Sequence, residues 1–191
     1  MISLRDYQVE HCGRILASLV ARGYALDASD TGTGKTVVAL ECCKRMGVIP
    51  LVVGPKSARG GWEDMAEQMG TAVEFVNYEK LRGQRKNGVA DTEWLVEKPW
   101  GKGSYLAWKR PPDTIIFDEV HRAGGTTSLN SKMLIAAKRQ AQYILALSAT
   151  AADDPRQMKA LGYALNLHGL SERTRAMPDF TGFLLRHGCY P

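Results

Sequence analysis

Nine residues, Ala28-Ser-Asp-Thr-Gly-Thr-Gly-Lys-Thr36, constrain this chain more than any other stretch. The apolar run Tyr24-Ala-Leu-Asp-Ala before them reads as a strand, and the pattern after them predicts a helix from about Lys35 to Met46. A glycine-rich turn between a buried strand and a helix N-terminus makes a cradle for phosphate. Gly32 and Gly34 let the backbone come close, and Thr31 and Thr33 complete a turn whose N–H groups point at the anion. Lys35 can reach β- and γ-phosphates, and the Thr36 hydroxyl can hold Mg²⁺. The common form of this loop has glycine where Ser29 stands, so the match is to a variant. The plain alternative is a chance turn ahead of a helix.

A second signal, Ile115-Ile-Phe-Asp-Glu-Val-His121, puts two carboxylates at the end of an apolar strand. Asp118 is suited to hold Mg²⁺, and Glu119 to orient or deprotonate an attacking water. His121 could sense a γ-phosphate or a neighbouring site. By itself the segment could be a strand end with solvated acids. With the phosphate cradle upstream, the chemical reading prevails.

Short apolar runs alternate with amphipathic ones along the chain. Strands are expected at Pro50–Gly54, Ala72–Val76, Thr114–Asp118 and Tyr143–Ser148, with helices through Trp62 to Met69, from Leu129 to Ala141, and from Pro155 through Leu165. This alternation implies an α/β fold: a mostly parallel sheet covered on both faces. At 191 residues, 45% apolar and 24% charged, the composition is that of a globular protein and excludes a disordered tail, a fibre or a disulfide miniprotein. No apolar stretch is long enough to span a bilayer, and the charged start resembles no secretory signal. The four cysteines lack paired metal spacing and are expected to be reduced, which suits the cytoplasm.

One segment breaks the rhythm. Residues 83–112 show no sustained period, and Glu93–Glu97 and Ser104–Trp108 could form a β-hairpin around Pro99-Trp-Gly-Lys-Gly. From Lys80 to Arg110 eight basic residues face three acids, a surplus equal to the +5 of the whole chain. A polyanion would meet the protein here. Trp100, Lys102, Lys109 and Arg110 are the candidate contacts, rings for stacking bases and cations for phosphates. The competing reading packs the rings onto the hairpin's own domain, which the cost of exposing tryptophan favours.

These motifs, in this order, resemble the first RecA-like lobe of superfamily-two helicases and Swi/Snf-type translocases. Leu4-Arg-Asp-Tyr-Gln8 resembles the Q motif, in which the resemblance makes Gln8 the reader of adenine. Leu51 to Trp62 resembles motif Ia, with Pro55, Lys56 and Trp62 matching. Asn77-Tyr78-Glu79 resembles the block where the family's chain approaches nucleic acid. Ser148-Ala149-Thr150 matches motif III, which couples the nucleotide and nucleic-acid sites. Val120 and Ala151 depart from the common pattern, the basic insert matches nothing, and the compact motif spacing is similar to that of bacteriophage-encoded helicases.

The resemblance implies a P-loop RecA-like three-layer sandwich over residues 1–191, with a hairpin insert at about 83–112. It implies ATP and Mg²⁺ as cofactors, nucleic acid (DNA rather than RNA) as partner, and no membrane. It also implies a second RecA-like lobe, in cis or in trans, whose motifs do not occur in this sequence and which brings the arginine fingers. A nucleotide-switched binding module without motor activity is the alternative. A small-molecule kinase would leave motif Ia, the Tyr78 block and motif III as coincidences. Outside this context Gln8 would be a helix-surface residue and Tyr7 a core one. His11, His168 and His187 would be surface or satisfied core, Cys12, Cys42 and Cys43 small apolar residues, and Met65, Met133 and Met158 core fillers.

Overall fold

The computed structural model describes residues 3–83, 91–101, 103–125, 128–150, 155–169 and 176–186, with backbone only at 100, 103, 156 and 176–179. Seven strands and seven α-helices follow one another in these segments: α1 (Asp6–Arg22), β1 (Tyr24–Asp27), α2 (Lys35–Met46), β2 (Leu51–Gly54), α3 (Arg59–Met69), β3 (Glu74–Asn77) and α4 (Tyr78–Arg82) come first. Then come β4 (Leu95–Trp100), β5 (Gly103–Trp108), β6 (Thr114–Asp118), α5 (Leu129–Gln140), β7 (Tyr143–Leu147), α6 (Met158–Ala164) and α7 (Ala176–Arg186). They gather into two compact units. The first is Met1–Lys80, Pro112–Glu119 and Ala141–Ala149; the second is Leu81–Pro111, Val120–Gln140 and Thr150–Pro191.

The first unit holds a five-stranded parallel sheet in the order β1-β7-β6-β2-β3. Strands buried on both faces read as unbroken apolar runs, which is why Leu51-Val-Val-Gly and Thr114-Ile-Ile-Phe stand out in the sequence. β1 is an edge strand and alternates instead, burying Ala25 and Asp27. Helices α1, α2 and α3 pack a common core: Cys12, Ile15 and Leu19 of α1, Val38 and Cys42 of α2, and Trp62, Ala66 and Met69 of α3 surround Ala25, Val52, Ile116 and Leu145. The architecture is the expected RecA-like α/β fold. β3 begins two residues later than the pattern suggested, because Ala72 and Val73 precede the ladder that pairs Leu51 with Glu74.

The second unit contains the hairpin. Leu95 pairs with Trp108 and Trp100 with Gly103, all antiparallel, so its turn is tighter than the five-residue loop expected and Pro99 lies within a strand. The Trp108 indole N–H donates to the Met133 carbonyl of α5 at 3.4 Å, and its backbone N–H donates to Gln140 Oε1 at 2.8 Å. The packing reading therefore holds for Trp108, which is buried. Met133 is core as expected, whereas Met65 and Met158 are half-buried. α7, which the sequence did not reveal, places Phe180 and Phe183 against His168, with ring centroids 5.0 and 5.3 Å away. No described helix is long and apolar enough to cross a membrane.

Candidate nucleotide site

In a parallel sheet the loops leaving the carboxyl ends of the strands hold the chemistry. Here β1 runs into the glycine-rich loop, β6 delivers Asp118 and Glu119, and β7, lying between them, delivers Ser148 and Ala149. The Ser148 N–H donates to the Asp27 carbonyl at 3.1 Å and fastens the third of these segments to the first.

Gly34 opens α2 with φ +89°, a conformation that favours glycine, and a side chain there would run into the Gln8 amide. Thr33, Lys35 and Thr36 are half-buried around it, with Thr31 and Gly32 exposed. The Lys35 ammonium donates to the carbonyls of Ser29 and Asp30 at 2.7 and 2.8 Å. The loop thus folds around the cation that a phosphate would share.

Gln8 is no surface residue. It is 6% exposed, and its Nε2 donates to the Thr33 carbonyl at 2.9 Å. Its Oε1 accepts the Arg5 N–H at 2.9 Å, the reciprocal half of a helix-capping arrangement. Tyr7 is not core either: it is 52% exposed, with its hydroxyl donating to the same Thr33 carbonyl at 3.2 Å. Both residues lean on the phosphate loop and line a cavity of about 230 Å³ with His11, Arg14, Asp27, Ser29, Thr33, Lys35 and Val38.

Asp27 and its partner His11 were missed as members of this site. Asp27 is fully buried; its Oδ1 accepts from the Ser29 N–H at 3.0 Å and the Ser29 hydroxyl at 2.6 Å, and lies 3.0 Å from His11 Nε2. This also explains Ser29 in place of glycine, since its hydroxyl anchors the loop to the strand beneath. An acid inside the apolar run Tyr24-Ala-Leu-Asp was the signal available, because a buried carboxylate persists only where it is paired.

Asp118 ends β6 half-buried. The Trp62 indole N–H donates to its Oδ2 at 2.9 Å, and the Tyr78 hydroxyl donates to its carbonyl at 3.0 Å. Burial pushes the carboxyl above its usual range, the Trp62 bond opposes this, the neighbouring Glu119 charge adds to it, and the Lys35 charge counters it. Gly54 leaves space here, since a Cβ would sit a tight 3.2 Å from both the Asp118 Cβ and the Phe75 ring. Glu119 has φ +52°, a left-handed backbone that costs a non-glycine residue about 1–3 kcal/mol and that clusters at functional sites. The Thr36 hydroxyl and the Asp118 carboxylate are hard oxygen donors of the kind Mg²⁺ takes, few in number as suits an ion that also binds phosphates.

Not every expected contact faces outward. Pro55 is buried and Tyr78 is 1% exposed with its hydroxyl engaged, so neither offers a side chain to nucleic acid; Lys56 is exposed. In the second unit Lys109 and Arg110 are exposed, but Lys109 forms an ion pair with Asp91 across the hairpin base. His121 and Thr150 are exposed and also belong to that unit. Lys102, the Trp100 side chain, Ala151 and His187 lie outside the described residues.

Fold and candidate site together define a RecA-like α/β lobe with a P-loop type of turn after its first strand. No family model matches the sequence. The chain is 34% identical over 179 residues to a protein of Acanthamoeba polyphaga mimivirus named "Putative ATP-dependent RNA helicase L364", a match that takes in 85% of this chain and 33% of that one. The Sulfolobus solfataricus SWI2/SNF2 ATPase core, solved in complex with dsDNA, matches the fold with a TM-score of 0.65 at 15% identity, over 99% of this chain and 41% of that one. The chain spans about a third of the length of the viral relative. It is a superfamily-two helicase-like lobe.

Proposed function

We propose that this lobe binds ATP–Mg²⁺ and, paired with a second RecA-like lobe in cis or in trans, couples hydrolysis to movement on nucleic acid. The observation that carries the reading is that parallel strands bring two features to one end of the same sheet: a glycine-rich, lysine-bearing loop at the carboxyl end of β1 and a half-buried carboxylate, Asp118, at the carboxyl end of β6. Lys35 and the N–H groups of residues 31–36 would take the phosphates, and Gln8 the adenine. Thr36 and Asp118 would hold Mg²⁺, which when bound neutralises phosphate charge. Glu119 would orient water, and His121 with Ser148-Ala149-Thr150 would pass the state of the site onward. The relative named an RNA helicase and the neighbour solved with dsDNA support a nucleic-acid partner. Our reading takes it to be DNA, met by Lys56, Lys102, Lys109 and Arg110, with Trp100 stacking. Cys12, Cys42 and Cys43 are free thiols, in keeping with a cytoplasmic setting.

Calorimetry with ATP and Mg²⁺ tests the nucleotide half. Lys35→Ala should abolish tight binding with the melting temperature kept, because the side chain contacts loop carbonyls rather than core. Equal affinity in both proteins would refute it. Stimulation of hydrolysis by nucleic acid, once a second lobe is supplied, separates a motor from a nucleotide-switched binding module. Competition between DNA and RNA of one sequence tests the partner.

A further inference from the structure

Asp118 is held from two sides by residues outside the nucleotide motifs. Trp62, 2% exposed in α3, fixes Oδ2 through a ring that cannot rotate without disturbing the core. Tyr78, at the start of α4, fixes the carbonyl of the same residue. On the adjacent strand β2, Gly54 has no side chain to crowd the Asp118 Cβ, which an added methyl group would approach to 3.2 Å. A carboxylate has about four lone-pair sites and turns freely about its last bond. One strong, buried donor on Oδ2 sets the plane of the group and leaves the remaining lone pairs for an ion.

We infer that Trp62 is a positioning residue for the metal carboxylate: its indole N–H sets the orientation in which Asp118 can ligate Mg²⁺. This rests on the nucleotide reading above. Ligands of metal ions owe much of their affinity to such outer partners, whose loss costs about 10–100-fold. Mg²⁺ is especially demanding, because it requires near-octahedral geometry. The placement also gives α3 a second purpose. It begins just after the exposed Lys56, so the helix that follows a candidate phosphate contact carries the donor that sets the metal carboxylate.

The experiment measures ATP affinity by calorimetry as Mg²⁺ is raised from zero, in wild type, in Trp62→Phe, and in a protein carrying benzothienylalanine at 62. That last side chain has the shape of tryptophan and no N–H, so it keeps the core even where phenylalanine does not. Both replacements should raise the Mg²⁺ concentration for half-maximal binding about 10–100-fold, while affinity for metal-free ATP stays unchanged. Asp118→Asn should remove most of the Mg²⁺ dependence. An isostere with the wild-type Mg²⁺ requirement would overturn the inference, and so would a lowered melting temperature with that requirement unmoved. In either case the nucleotide reading would stand. A wild-type chain that binds no nucleotide at any Mg²⁺ concentration would overturn both.

Discussion

At the scale of single residues the site is defined by close approach. Gly34 is the sharpest case: its φ of +89° strains any other residue, and a methyl group there could be seated only by pushing the Gln8 amide aside. Gly34→Ala should lower stability by about 1–3 kcal/mol, the cost of holding a side chain in a left-handed backbone, and should displace Gln8 from the Thr33 carbonyl. Denaturant titration would measure the first effect, and discrimination between ATP and GTP the second. His168 yields a prediction about pH. Burial beside the two phenylalanines lowers its pKa, so the fold favours the neutral ring. The unfolded chain takes up a proton near pH 6.5 that the folded chain resists. Stability is therefore full above that pH and falls as pH drops below it. Melting temperatures at pH 7.5 and 5.5 should diverge in wild type and converge in His168→Phe.

At the scale of elements, legibility followed burial. β2, β6 and β7 are buried on both faces, so their apolar runs marked them closely, and Lys35–Met46 matched to the residue. β3 was misplaced because Ala72 and Val73 are as apolar as the strand that follows, and only pairing with β2 decides where the ladder begins. α7 escaped because its partners, such as His168, come from a separate stretch of sequence. The glycine-rich loop and the Asp118–Glu119 pair stood out as candidates, since the roles proposed for them follow from residue type and spacing alone. The grip of Trp62 and Tyr78 on Asp118, and of His11 on Asp27, was not readable, because each joins positions that only the fold makes neighbours. The hairpin's charges make a prediction of their own. Replacing Lys102, Lys109 and Arg110 by alanine should flatten the salt dependence of nucleic-acid affinity, by about 0.7 in logarithmic slope for each single-strand phosphate that is no longer neutralised. Arg110 should contribute more than Lys109, which is already paired with Asp91. A slope unchanged by all three substitutions would reduce the hairpin to a structural part.

At the scale of the whole molecule, nucleotide chemistry and turnover are separable. On the proposed reading binding rests on Lys35, Thr36 and Asp118, all within the first unit. Fast hydrolysis needs positive charge at the γ-phosphate in the transition state, a contribution of about 10³–10⁵ in rate where an arginine finger supplies it. We expect residues 1–191 alone to hydrolyse ATP barely above background and to separate no strands. Glu119→Gln should leave that residual rate almost unchanged and should abolish turnover once a second lobe is present. Vigorous, nucleic-acid-stimulated turnover by this chain as a monomer would show that one of its own arginines completes the site.

The position of β1 bears on how the protein comes into being. It is an edge strand whose neighbour in the sheet is β7, and Tyr24 meets Ile144 only there. As the chain leaves the ribosome, the strand carrying the phosphate loop must wait, with one row of backbone groups unpaired, until residues 143–147 have been made. Long-range parallel pairing of this sort is slow and leaves an edge open to wrong partners. Fragments ending before β7 should aggregate and bind no nucleotide, however intact their loop. The most recognisable motif in the sequence is thus among the last parts of the sheet to be secured.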